Sequence, residues 1–137
     1  MTMARGVLDT STLILLARID DVGSLPSEPL ITSITLAELS VGPLVARSDV
    51  ERAARQAHLQ QAEADFEPLP FDALAARSFG LVAASLRQSG RKPAARTYDA
   101  MIAAVCIAHG LPIHTCNPRD FAAIGGLNVI AVQHPDK

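Results

Sequence analysis

The chain has 137 residues, 49% of them apolar, with one Tyr, four Phe and no Trp, which suits one domain with a core of Leu, Ile, Val and Ala. A net charge of −2 gives no support to nucleic-acid binding by bulk positive charge. Its two cysteines, Cys106 and Cys116, form no CxxC pair and favour neither zinc nor a disulfide framework.

In chain order, residues 7–8 read as a short first strand and 11–18 as a helix. The apolar run 13–17 is too short for a signal core or a membrane span, so a reducing cytoplasm is the expected compartment. Pro26 and Pro29 punctuate a loop before LITSI (30–34), read as a second strand. A helix follows over 36–45, and Ser48 heads another over 49–64. FEPLP (66–70) reads as a short strand between prolines. Asp72 heads a helix to residue 88, with Leu74, Phe79, Val82 and Leu86 as its apolar stripe. SGRKPAAR (89–96) is a basic loop. Residues 98–109 are apolar almost all round, as in a buried helix, and Gly110 and Pro112 stop it. IHT (113–115) is a strand, a short helix follows Pro118, and NVIAV (128–132) is the last strand. No repeat or composition break divides the chain, so 1–137 reads as a single domain. Alternating strands and helices predict an α/β fold with a parallel sheet covered on both faces.

Four acids stand out by placement. Asp9, Glu38, Asp99 and Asp120 each sit where a strand-like or turn segment gives way to a helix-like one, in GVLDTST, TSITLAELSVG, RTYDAMIAA and HTCNPRDFAAI. Helices of an open α/β sheet start near the carboxyl ends of strands, so these residues can converge in one crevice. Four carboxylates repel unless cations hold them, and hard oxygen ligands suit Mg²⁺ or Mn²⁺. Each acid also has a plainer reading. Asp9 can cap a helix. Thr35-x-x-Glu38 matches a capping box. Asp99 in a first turn offsets a helix dipole. Asn117, Pro118 and Asp120 fit N-cap, N1 and N3 of a short helix. Asp99 opens a helix that buries most of its sides, so its carboxylate is expected to lie deep, with Arg96 as the best candidate partner. Thr10, Ser11 and Thr115 add hydroxyls at the same strand ends, to fix carboxylates, to hold a metal-bound water or simply to cap. Asp120 is preferred to Asn117 as the fourth acid, leaving Asn117 to orient a water or bind a nucleic-acid backbone. Arg91, Lys92 and Arg96 form the densest basic patch, either a solvated loop or a guide for RNA phosphates. His58, His109, His114 and His134 show no ligand spacing, and no phosphate-binding glycine loop occurs.

LDTS, TLAELSVG, YDAMIAAVCIAHGLPIHT and TCNPRDF, in this order, resemble the PIN-domain ribonucleases, and among them the VapC-type toxins of bacterial toxin–antitoxin pairs. The resemblance runs from Gly6 to Val132. It implies a PIN-like three-layer α/β/α sandwich with a short, mainly parallel sheet. It implies a Mg²⁺-dependent endoribonuclease, with Mn²⁺ as an alternative ion. Asp9, Glu38, Asp99 and Asp120 would be its metal-binding catalytic carboxylates. It further implies a homodimer, silenced by a cognate antitoxin whose chain enters the active site. Without those four acids the chain holds ten acidic against twelve basic residues, so charge permits RNA as substrate. Two rivals come from other classes. One is a catalytically silent binding module that keeps the antitoxin surface, with Asn117 marking a lost ligand. The other is a phosphoacceptor signalling domain, disfavoured because only Asp9 follows the first strand and the only lysines are Lys92 and Lys137.

Overall fold

The computed structural model describes residues 4–91 and 96–137, so Lys92 lies outside the described residues. One sheet holds β1 (Arg5–Leu8), β2 (Glu28–Leu30), β3 (Ile113–Thr115) and β4 (Val129–Ala131) in the order β2-β1-β3-β4. Every pairing is parallel. Five helices accompany it among the described residues: α1 (Thr10–Leu15), α2 (Ser33–Val41), α3 (Asp49–Asp65), α4 (Ala73–Gln88) and α5 (Thr97–His109). This is the α/β architecture that the alternation predicts.

Central strands of a parallel sheet are covered on both faces and read as continuous apolar runs. Accordingly Val7, Leu8, Ile113 and Thr115 are all fully buried. β2 lies at an edge, which is where Pro29, lacking an N–H, is tolerated. The main core joins Val7 and Ile113 of the sheet to Val82 and Leu86 of α4, Ile102 and Ala103 of α5, and Phe121. Each large apolar side chain buried there contributes about 1.5–3 kcal/mol. The small Ala100, Ala103 and Ala104 let neighbours approach α5 closely. A second cluster, Ile31, Leu39 and Ala62 with Leu13, Leu36, Leu59 and Phe66, ties α1 and α2 to α3. Gly6 has a positional reason. A Cβ there would lie 2.3 Å from the His114 ring, which packs on β1 while its Nδ1 meets the Ser24 carbonyl at 3.0 Å.

Ser48 and Asp72 cap α3 and α4 by accepting from the amides of Glu51 and Ala75. Gly110, at φ +64, ends α5 in a Schellman turn, with Leu111 N–H reaching Cys106 O at 2.9 Å. Elsewhere the expected boundaries move. The second strand is 28–30, not 30–34, because Thr32 caps α2 by accepting from the amides of Ile34 and Thr35. The helix expected over 36–45 starts at Ser33 and gives way at Gly42 to a 3₁₀ turn containing Pro43, which cannot donate to an α-helical ladder. The helix at 11–18 likewise turns 3₁₀ after Leu15. The strand expected at 66–70 is a single bridge between Leu69 and Thr32. Leu74 leaves the apolar stripe of α4 for solvent, where it is 49% exposed, and the buried positions are Ala75, Ser78, Val82 and Leu86.

Candidate active site

The chain passes from β1 to β2 on one side, then returns to β3 on the other side of β1. Such a reversal opens a crevice beyond the carboxyl ends of the strands. Asp9 follows β1 and Thr115 ends β3. The Thr115 hydroxyl crosses the switch point and donates to Asp9 Oδ2 at 3.0 Å. The Ser11 hydroxyl donates to the same oxygen at 3.2 Å. Asp9 occupies the N-cap position of α1 without a well-formed capping bond, although the Thr12 amide lies near enough to favour its charged form. Burial pushes its carboxyl pKa up, and the nearby hydroxyls of Thr12, Thr115 and Ser11 oppose the rise. Among the described residues Asp9 Oδ1 is buried with no hydrogen-bond partner. An ionised oxygen in that state costs about 1–3 kcal/mol or more unless something pairs with it.

Asn117 stands behind those hydroxyls. Its Nδ2 donates to Ser11 Oγ at 3.0 Å, and its backbone N–H donates to Thr115 Oγ1 at 2.9 Å. It heads the 3₁₀ turn Pro118–Asp120, but its side chain does not cap that turn.

Glu38 lies inside α2, not at its start. Thr10 Oγ1 donates to Glu38 Oε1 at 2.7 Å and lies 2.9 Å from Thr35 Oγ1. A hydroxyl has one proton. Thr10 gives its proton to Glu38, so fully buried Thr35 donates to Thr10. The relay Thr35→Thr10→Glu38 was not foreseen. The signal was present in Thr35-x-x-Glu38, but that spacing serves a shared helix face rather than a capping box, because Thr32 is the cap. Burial raises the Glu38 carboxyl pKa, Thr10 opposes this, and the charge of Asp9 adds to it.

Asp99, in the first turn of α5, has its carboxyl pushed up to about 6 by burial, then by the charges of Asp9, Asp120 and Glu38, with Arg96 opposing. The other three acids therefore all lie within electrostatic reach of Asp99. Asp99 is shallower than the apolar helix suggested, its side chain being 27% exposed. Arg96 is its partner at 3.8 Å and holds Asp120 at 2.7 Å. Arg91 donates to the Arg119 carbonyl at 3.0 Å, which puts a second guanidinium beside the same turn. As placed, no three His, Cys, Asp or Glu side chains among the described residues stand close enough to enclose an ion. The donor chemistry still fits a hard cation: carboxylate oxygens throughout, one of them buried and unpartnered. Cys116 only borders the site, its amide donating to Thr12 Oγ1. Cys106 is a core residue whose thiol burial pushes up to about 12. A cavity of about 410 Å³ lies apart from the acids, between α1 and α3, lined by Leu13, Ile14, Ala17, Ala57 and Phe66 among others.

A parallel α/β sheet with acids gathered at its switch point is the arrangement of a PIN domain, and the PIN domain family model matches residues 7–127; the chain belongs to that family. It is 42% identical over 127 residues to Ribonuclease VapC5 of Mycobacterium tuberculosis, covering 91% of each chain. It is 34% identical to Ribonuclease VapC4 of the same organism, covering 96% of this chain and 100% of the other. The crystal structure of VapBC-5 from M. tuberculosis, a member of the VapBC family of toxin–antitoxin systems, superposes with a TM-score of 0.82 at 41% identity, covering 94% of this chain and 99% of the other. These relatives place it in the VapC group of PIN domains.

Proposed function

We propose that this protein is a metal-dependent endoribonuclease and the toxin of a toxin–antitoxin pair. The observation that carries the reading is Asp9 Oδ1, a carboxylate oxygen buried without a hydrogen bond among the described residues, in a crevice where the charges of Asp9, Asp120 and Glu38 raise the carboxyl pKa of Asp99. A bound Mg²⁺ or Mn²⁺ would supply the Lewis acidity that polarises a phosphodiester and activates water. The chain's own residues do the rest. Asp9, Glu38, Asp99 and Asp120 hold the ion. Thr115 and Ser11 fix Asp9, and Thr10 fixes Glu38. Arg96 and Arg91 offer planar guanidinium donors to RNA phosphates. Support for the substrate comes from relatives named ribonucleases, and support for an antitoxin partner from the VapBC structure. The apolar cavity between α1 and α3 is the kind of surface such a partner would cover. Dimerisation belongs to the same reading.

Arg96 favours one other reading. Because it already pairs with Asp99 and Asp120, a metal-free binding module has its charges partly met. Cleavage separates the two. Antitoxin-free protein should cut structured RNA only when Mg²⁺ or Mn²⁺ is added. Asp99→Asn, nearly isosteric, should slow cleavage on the order of 100-fold or more while still melting cooperatively. A variant that cuts at the wild-type rate would remove Asp99 from the site, and a wild type inert at every metal concentration would leave the silent module.

A further inference from the structure

We propose that Asn117 is a positioning residue that locks one oxygen of Asp9 and thereby reserves the other for a cation; this rests on the metal reading above. The argument is a count of protons. An ionised carboxylate only accepts, so Ser11 and Thr115 each spend their single hydroxyl proton on Asp9 Oδ2. Any further partner of either hydroxyl oxygen must then donate to it. Asn117 supplies both donors, Nδ2 to Ser11 at 3.0 Å and its backbone N–H to Thr115 at 2.9 Å. The amide orientation follows from the same count, because Asn117 Oδ1 turned toward Ser11 would meet a hydroxyl with no proton left. One residue therefore holds both hydroxyls in the polarity that the bonds on Oδ2 require. Oδ1 is left buried with no well-formed hydrogen bond among the described residues, Thr12 alone of the other nearby donors acting on the carboxylate. A plain capping role does not account for this, since the Asn117 side chain makes no bond to the turn it heads. Buttressing of a ligand through a second layer of hydrogen bonds is how proteins orient metal-binding carboxylates.

The discriminating variant is Asn117→Asp, read by Mn²⁺ titration calorimetry of the metal-free protein. If Asn117 were itself a ligand, the added carboxylate would tighten binding. As a positioning residue it loses its only side-chain donor and turns a lone pair on Ser11, so Mn²⁺ affinity should fall by about 10-fold or more. A cycle with Ser11→Ala gives a second readout. Asn117→Ala should weaken Mn²⁺ binding in the wild-type background and add little in Ser11→Ala, because groups acting through one chain do not add. Melts of the metal-free variants establish that each is folded, and the Ala cycle carries the test should Asn117→Asp fail to fold. Unchanged or tighter binding by Asn117→Asp, or additive losses in the cycle, overturns the positioning role while wild-type binding keeps the metal site. A wild type that takes up no Mn²⁺ overturns both.

Discussion

At the scale of single residues, Asp99 sets a pH dependence opposite to that of most carboxylates. Its folded pKa of about 6 lies above the unfolded value near 3.8. Between those values the folded state holds more protons, so stability falls as pH rises from about 4 to about 6, and the loss persists above. Asp9 and Glu38, also raised, act in the same direction. Metal-free protein in a chelator should therefore melt at a lower temperature at pH 7.5 than at pH 5, against the usual acid-denaturation trend. Asp99→Asn should flatten part of that slope, and a melting temperature that climbs steadily from pH 5 to 7.5 would contradict the coupling of these acids. Ion binding needs the charged forms, so metal affinity should rise across the same interval. Asp9, Asp99 and Asp120 could be picked out of the sequence because each stands at an element boundary, whereas Glu38, expected at one, lies inside α2. The parts played by Thr35 and Asn117 could not. They depend on which hydroxyl holds a proton, and that is settled only when residues 25 and 106 positions apart meet.

At the scale of elements, the helices were the most readable part. The caps Ser48 and Asp72 and the stop at Gly110 are local chemistry, and α3, α4 and α5 run close to the expected bounds. β2 was misplaced because an edge strand with a proline carries no apolar run of its own, while the apolar residues beside it belong to the junction with α2. The fit of His114 over Gly6 joins β3 to β1 and is testable on its own. Gly6→Ala puts a methyl 2.3 Å from the imidazole and should cost about 1–3 kcal/mol in urea unfolding, as overpacking does. Gly6→Ala with His114→Ala should recover part of the loss contributed by the clash. A double variant as unstable as the two single losses added would mean that the ring and the glycine are not in contact.

At the scale of the whole molecule, the acids make a common electrostatic load that a native-state ligand can relieve. An ion bound at a hundredfold excess over its Kd stabilises by about 2.7 kcal/mol. The melting temperature should rise in MgCl₂ or MnCl₂ over NaCl at matched ionic strength, and rise less in Asp9→Asn. Coincident curves at millimolar metal would leave only screening of separate charges. No helix among the described residues is long and apolar enough to cross a membrane. The central position of β1 has a consequence in time. β1 is made first, yet its inner neighbour is β3, and the bond from Thr115 to Asp9 spans 106 positions. At translation speeds of about 5–20 residues per second, Asp9 waits roughly 5–20 s on the ribosome before its clamp exists. Such distant pairings also form late in folding. A nascent copy therefore has its first acid but no assembled crevice until β3 has been made and has paired with β1.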